Sequence, residues 1–111
     1  MDKPFRKAFV VERGKLNDMP ALELHTDEVI YLLQGTEKAS EISRHLEQKL
    51  EDFNIETDVI IPTGRSFVSL LLGYALRDYP TFVVGIYENK AYAFIKVFSR
   101  ELERMIRDAT V

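Results

Sequence analysis

The stretch Asp58–Pro80, DVIIPTGRSFVSLLLGYALRDYP, constrains the fold more than any other part of the chain. It opens on Val59-Ile60-Ile61, an apolar β-branched run too short for a helix, which reads as a buried strand. Pro62-Thr63-Gly64 breaks that run, and glycine at 64 suits the left-handed backbone of a tight turn. From Ser66, placed to N-cap, the apolar residues Phe67, Leu70, Leu71, Tyr74 and Ala75 recur at helical spacing. Tyr79-Pro80 ends the helix, because a residue before proline is pushed out of the α region. Strand, glycine turn and helix start together offer unpaired amides and a positive helix end, the ingredients of an anion seat. Thr63, Gly64, Arg65 and Ser66 are therefore candidate ligand-binding residues, two hydroxyls and a guanidinium fork being suited to phosphate. The competing reading makes Gly64 a turn residue only and Arg65 a solvated one.

Around this unit the chain alternates strands and helices. Lys7–Arg13 reads as a first strand, and Ala21–Thr26 as a second, with Leu22 and Leu24 inward and Glu23 and His25 on a solvated face. Asp27–Gln34 is a third strand, preferred over a short helix because Gly35-Thr36 follows at once. The helix Thr36–Phe53 carries Ala39, Ile42, Leu46, Leu50 and Phe53 on one stripe, with His45 at its edge. Ile55–Ile61 is the fourth strand. Thr81–Tyr87 is apolar nearly throughout, as a strand covered on both faces would be. Gly85 within it either admits a close neighbour or relieves packing. Glu88-Asn89-Lys90 makes a hairpin turn into Ala91–Phe98, whose aromatics on one face call for partial cover. Ser99 caps a last helix with Leu102, Met105, Ile106 and Ala109 as its stripe.

The expected order is β-β-β-α-β-α-β-β-α. It defines one α/β domain over residues 1–111, a Rossmann-like mixed sheet with a parallel core and antiparallel hairpins. Right-handed crossovers set the third, fourth and fifth strands side by side. Ligands of such sheets sit beyond the carboxyl ends of the parallel strands. Gly35, Thr36, Tyr87, Glu88 and Lys90 map to that end, and so join the candidate ligand-binding set.

Composition narrows the functional classes. A content of 46% hydrophobic and 30% charged residues in 111 describes a soluble globular chain. With no cysteine and two isolated histidines, disulfides, thiolate sites and a dedicated metal centre are not expected, and no cofactor is called for. No apolar run approaches the roughly 20 residues of a membrane span, and no secretory h-region is present, so a cytoplasmic protein without a membrane partner is the expectation. A net charge of −3 argues against a coat for long nucleic acid, though not against one positive pocket. P-loop, G-x-G-x-x-G, G-x-S-x-G and H-E-x-x-H signatures are absent, and no catalytic set stands out.

The block IIPTGRSFVSLLLGYALRDYPTFVVGIYENKAYAFIKV resembles the cores of CARF and SAVED domains and the small CRISPR-associated ring nucleases. The shared features are a strand ending in Gly64-Arg65, a helix of small and apolar residues through Gly73, an apolar strand, a turn after Tyr87 and a final hairpin strand. The resemblance implies binding of a cyclic oligonucleotide, of the cyclic oligoadenylate kind used in CRISPR and CBASS antiviral defence. It implies homo-oligomers with the ligand across a subunit interface, Gly64, Arg65 and Ser66 on phosphate, and the Tyr87–Lys90 turn alongside. With no effector domain fused, such a protein would act by sequestering ligand, by assembling, or through an effector partner chain. The ring nucleases carry histidines in the helix and at the end of the last strand, and an aspartate after the tyrosine. This chain has none between Ser66 and Tyr79, ends the strand in Val97-Phe98-Ser99, and has Glu88 after Tyr87. Ring opening would then rest on holding a ribose hydroxyl in line with phosphate, without a metal. A small α/β structural or interaction subunit is the alternative.

Overall fold

The first strand is the middle of the sheet. β1, Phe5–Glu12, pairs in parallel with β2, Thr26–Leu33, on one side and with β3, Asp58–Ile61, on the other. Ala8 to Val11 are all buried, as both faces of a central parallel strand must be. The computed structural model describes residues 3–14 and 18–98. Outside β3 lie β4, Thr81–Glu88, parallel to it, and β5, Ala91–Phe98, antiparallel to β4. The resulting five-stranded mixed sheet runs β2-β1-β3-β4-β5 in a compact α/β domain.

Two of the expectations are corrected here. Residues assigned to a second strand belong instead to α1, Met19–Glu23, and its exit. Asp18 takes a left-handed backbone, φ 44°, and its carboxylate accepts from the Ala21 amide. With Pro20 in the first turn, that cap overrides the short alternation of Ala21–Thr26. Leu22 is buried, but Leu24 is 72% exposed, so the two do not share a face. The order of described elements is therefore β-α-β-α-β-α-β-β, apart from one 3₁₀ turn. The expected final helix lies outside the described residues. The second correction is spatial: β1 separates β2 from β3, so the three crossover strands are not consecutive neighbours.

Both long helices are shorter than the sequence pattern suggests. α2 spans Ala39–Lys49, followed by a 3₁₀ turn at Leu50–Asp52. α3 spans Ser66–Ala75 with Arg65, not Ser66, at the N-cap position and no side-chain cap. Both pack on one face of the sheet, where Ile42, Leu46, Val68 and Leu72 meet Phe9, Val11, Ile60 and Phe82. The other face, with Ala8, Val10, Val59 and Ile61, is covered by Leu22 of α1 and by Tyr92. Gly85 relieves packing, because a Cβ there would lie 2.6 Å from Ile61 Cδ1 and 2.9 Å from Phe94 Cε1.

Candidate functional site

β1 leads to β2 on one side, whereas β2 and β3 lead on in the opposite direction across the sheet. The reversal falls between β1 and β3, and the carboxyl ends of strands flanking such a point form a crevice. Glu12 ends β1 there, and Thr63-Gly64-Arg65 follows β3. Gly64 has φ +95° and carries the turn.

Glu12 fills much of the seat that the turn creates. Its residue is 1% exposed. Oε1 accepts from Arg65 Nη2 at 2.7 Å and Nε at 3.0 Å, and Oε2 accepts from the Arg65 amide at 2.9 Å. The Thr63 hydroxyl accepts from the Glu12 amide at 3.0 Å and donates to the Glu12 carbonyl at 3.2 Å. One amide and the inner edge of the fork are therefore spent on the chain's own carboxylate. Arg65 is neither a solvated residue nor a free cation. Its side chain remains 39% exposed, with the guanidinium 4.9 Å from the Phe67 ring, so its outer edge still faces solvent. Sequence reasoning missed Glu12. The available signal was a carboxylate closing the run Ala8–Val11, in a strand that must be buried on both faces.

Gly35 and Thr36 stand apart, at the end of β2 across β1. Gly35 also has positive φ, +92°, but its amide donates to Glu37 Oε1 at 3.0 Å and that of Gln34 to Oε2 at 2.8 Å. Here too a carboxylate of the chain occupies the amides. Burial on its own would raise the Glu37 pKa, but backbone hydrogen bonding from Gln34 through Glu37 outweighs it and holds the group below 4.5. His45 Nδ1 lies 3.9 Å from the same carboxylate. A depressed carboxylate contributes stability that is present above its unfolded pKa and lost as pH falls through the folded one. Glu37→Gln is therefore expected to cost about 1.5–3 kcal/mol at pH 7, the range for hydrogen bonds to a charged group. The difference from the parent should shrink as pH falls below about 4.5. Denaturant midpoints across pH 3–7 check this, and a constant difference would refute it.

On the α1 face, a shallow cavity of about 280 Å³ opens among Ile61, Pro62, Thr63, Gly85, Ile86, Tyr87 and Tyr92. It brings Thr63 and Tyr87 together, as the strand-end argument anticipated. The Tyr87 and Tyr92 rings lie 5.3 Å apart, and the Tyr87 hydroxyl donates to Asp18 Oδ2 at 3.2 Å. Burial, then that hydrogen bond and the Asp18 charge, raise the Tyr87 phenol above its usual value of 10.0, so it stays a donor at neutral pH. Glu88 and Lys90 lie beyond the cavity, exposed at the hairpin tip. Ser66 heads α3.

What the arrangement offers chemically is apolar surface in the cavity and, at Arg65, a partly exposed cation. Aromatic and aliphatic walls suit a base or another flat apolar group, and the outer edge of Arg65 suits an anion. No group of three or more His, Asp or Glu among the described residues could hold a metal ion. No described helix is long and apolar enough to cross a membrane. Comparison with known proteins finds no matching family model, curated protein or solved structure.

Proposed function

We propose that the chain is a receptor for a cyclic oligonucleotide, held at the carboxyl ends of β1, β3 and β4 in a Rossmann-like fold. The observation that carries this reading is the cavity at the carboxyl ends of β3 and β4 where Thr63 and Tyr87 converge, with Arg65, two residues after Thr63, still 39% exposed. One base enters between Tyr87 and the Pro62-Thr63 turn, and a phosphate meets the outer guanidinium edge. At about 280 Å³ the cavity takes one nucleotide unit rather than a whole ring, so the rest of the ligand lies on the surface. Glu12 fixes the guanidinium in place, which lowers the ordering cost of binding while offsetting much of the attraction that a free cation would give. Binding rather than cleavage is the reading, since among the described residues the cavity lining holds no carboxylate or imidazole, and Asp18, bonded to Tyr87, is also engaged by the Ala21 amide.

The test is retention of cyclic oligoadenylates of several ring sizes by the purified protein, with products followed by chromatography. The expected result is retention of one ring size without linear products. Arg65→Lys, which leaves an ammonium for Glu12 but removes the outer fork, is expected to weaken it roughly tenfold or more. Linear products would make the chain a nuclease. No retention of any ring would overturn the reading.

A second reading, an interaction subunit without a nucleotide ligand, is favoured by one observation. Glu12 and Glu37 already satisfy the turn amides, while Phe67, Leu70 and Tyr74 stand exposed along α3. Under that reading no nucleotide shifts the melting temperature.

A further inference from the structure

The outer edge of β5 has no partner among the described residues. We propose that it is an interaction surface for a second copy of this chain, the two β5 strands pairing antiparallel about a two-fold axis at Ile95. This stands apart from the ligand reading and does not depend on it.

Which backbone groups face the open edge follows from the hairpin. Asn89 and Lys90 have φ 52° and 64°, the signature of a two-residue I′ turn. Its flanking residues, Glu88 and Ala91, form a bonded pair, and bonded pairs then alternate along the ladder. Ala91, Ala93, Ile95 and Val97 therefore spend their amides and carbonyls on β4. The Val97 carbonyl also accepts from the Thr81 hydroxyl at 2.9 Å, which agrees with that direction. Tyr92, Phe94, Lys96 and Phe98 direct theirs outward.

Such an edge is normally blunted by charge, proline, a bulge or short length. β5 has eight residues, AYAFIKVF, with no proline and a single charge. The opposite edge, β2, is different: Asp27 and Glu28 stand exposed side by side, and a second β2 would meet them with like charge. On β5 the exposed side chains other than Lys96 are apolar, with Ile95 50% and Phe98 44% exposed.

Self-pairing selects one register. Directly opposed residues in an antiparallel pair share a face, so a two-fold axis must pass through a residue rather than between two. An axis at Lys96 sets two ammonium groups against each other. One at Phe94 leaves Phe98 opposite Lys90, in the turn. An axis at Ile95 sets Lys96 against Phe94 and Tyr92 against Phe98, and aims the outward amides and carbonyls of the two copies at one another. Lys96 then meets an aromatic ring rather than a cation. With the axis at Ile95 the two copies overlap over residues 92–98, about 24 Å of strand, a small interface that falls short of the ~1,000 Å² of a tight complex and so makes a weak, concentration-dependent dimer. The axis stands perpendicular to the sheet, so the carboxyl ends of the parallel strands point in opposite directions in the two copies. Each copy then carries its own ligand seat, in contrast to a ligand shared across the interface.

The absence of native cysteine makes the register directly testable. Ile95→Cys, oxidised with glutathione disulfide, is expected to cross-link into a dimer, because only an axis at 95 sets that residue against itself. Ala93→Cys and Val97→Cys should cross-link when mixed and much less when separate. The parent chain should sediment as a dimer at tens of micromolar. Lys96→Pro, which removes an outward amide and leaves the β4 ladder intact, should be monomeric with an unchanged far-UV spectrum. A parent chain that stays monomeric at all concentrations overturns the proposal, whether residues 99–111 or nothing covers the edge. So does a dimer in which Ala91→Cys cross-links as well as Ile95→Cys.

Discussion

Gly64→Ala is expected to cost about 3–5 kcal/mol, the largest loss for any single methyl group in the described fold. Two terms combine. A left-handed residue with a Cβ costs roughly 1–2 kcal/mol, and Gly64 sits at φ +95°. The added Cβ would also overlap the Glu12 carboxylate, with Cδ at 2.6 Å and Cγ at 2.8 Å. Backbone on one side and a buried side chain on the other leave it no exit. Glu12 must swing away, and its bonds to Arg65 go with it. Breaking a buried pair by displacing one member costs about 3–5 kcal/mol, of which only part is lost if water follows the carboxylate. Denaturant unfolding measures the change. Gly14→Ala is the control, since at φ +83° it pays the backbone cost while nothing lies within 4 Å of its Cβ. Equal losses at 14 and 64 would refute the role given to Glu12.

Arg65→Ala should cost about 3 kcal/mol, for a different reason. Glu12 stays buried and charged but loses both guanidinium bonds, keeping the Arg65 amide on Oε2. Removing one partner from a buried pair typically costs about 3–5 kcal/mol; the low end applies because the arginine site is partly open to water. For a domain near this size the melting point should fall by roughly 12 °C or more. The double variant Glu12→Ala/Arg65→Ala should recover part of the loss, since the unpaired charge is gone. Double-mutant additivity would show that the two side chains do not act together. Because Arg65→Ala unsettles the fold, ligand affinity is better read from Arg65→Lys.

How far the residues announced the fold can be argued from three places. Val59-Ile60-Ile61 and Thr81–Tyr87 declared buried strands, because unbroken apolar runs admit few other outcomes. The Glu88–Lys90 turn and Ala91–Phe98 were equally plain, since a short polar break between two apolar runs suits a hairpin, and Asn89 and Lys90 do take the positive φ of its turn. Ala21–Thr26 misled, because alternation over a few residues is weak beside a capping aspartate and a proline in the first turn. The position of β1 in the middle of the sheet followed from no local pattern; it depends on which neighbour β2 takes. The site was legible in the same uneven way. Glycines 35 and 64 marked turns with free amides, but what fills them is a long-range partner in one case and a side chain two residues onward in the other. Local sequence shows the need for a partner and not its identity. Thr63 and Tyr87 met at one cavity because both lie at the carboxyl ends of adjacent parallel strands, a consequence of topology that spacing alone could carry.

The bond between Glu12 and Arg65 spans 53 positions of the chain. During synthesis the carboxylate therefore leaves the ribosome long before the guanidinium that neutralises it. Closing so long a loop is entropically costly, so this contact belongs among the last to form. A late clasp of this kind would show itself as faster unfolding, with folding speed little changed, when either side chain is removed.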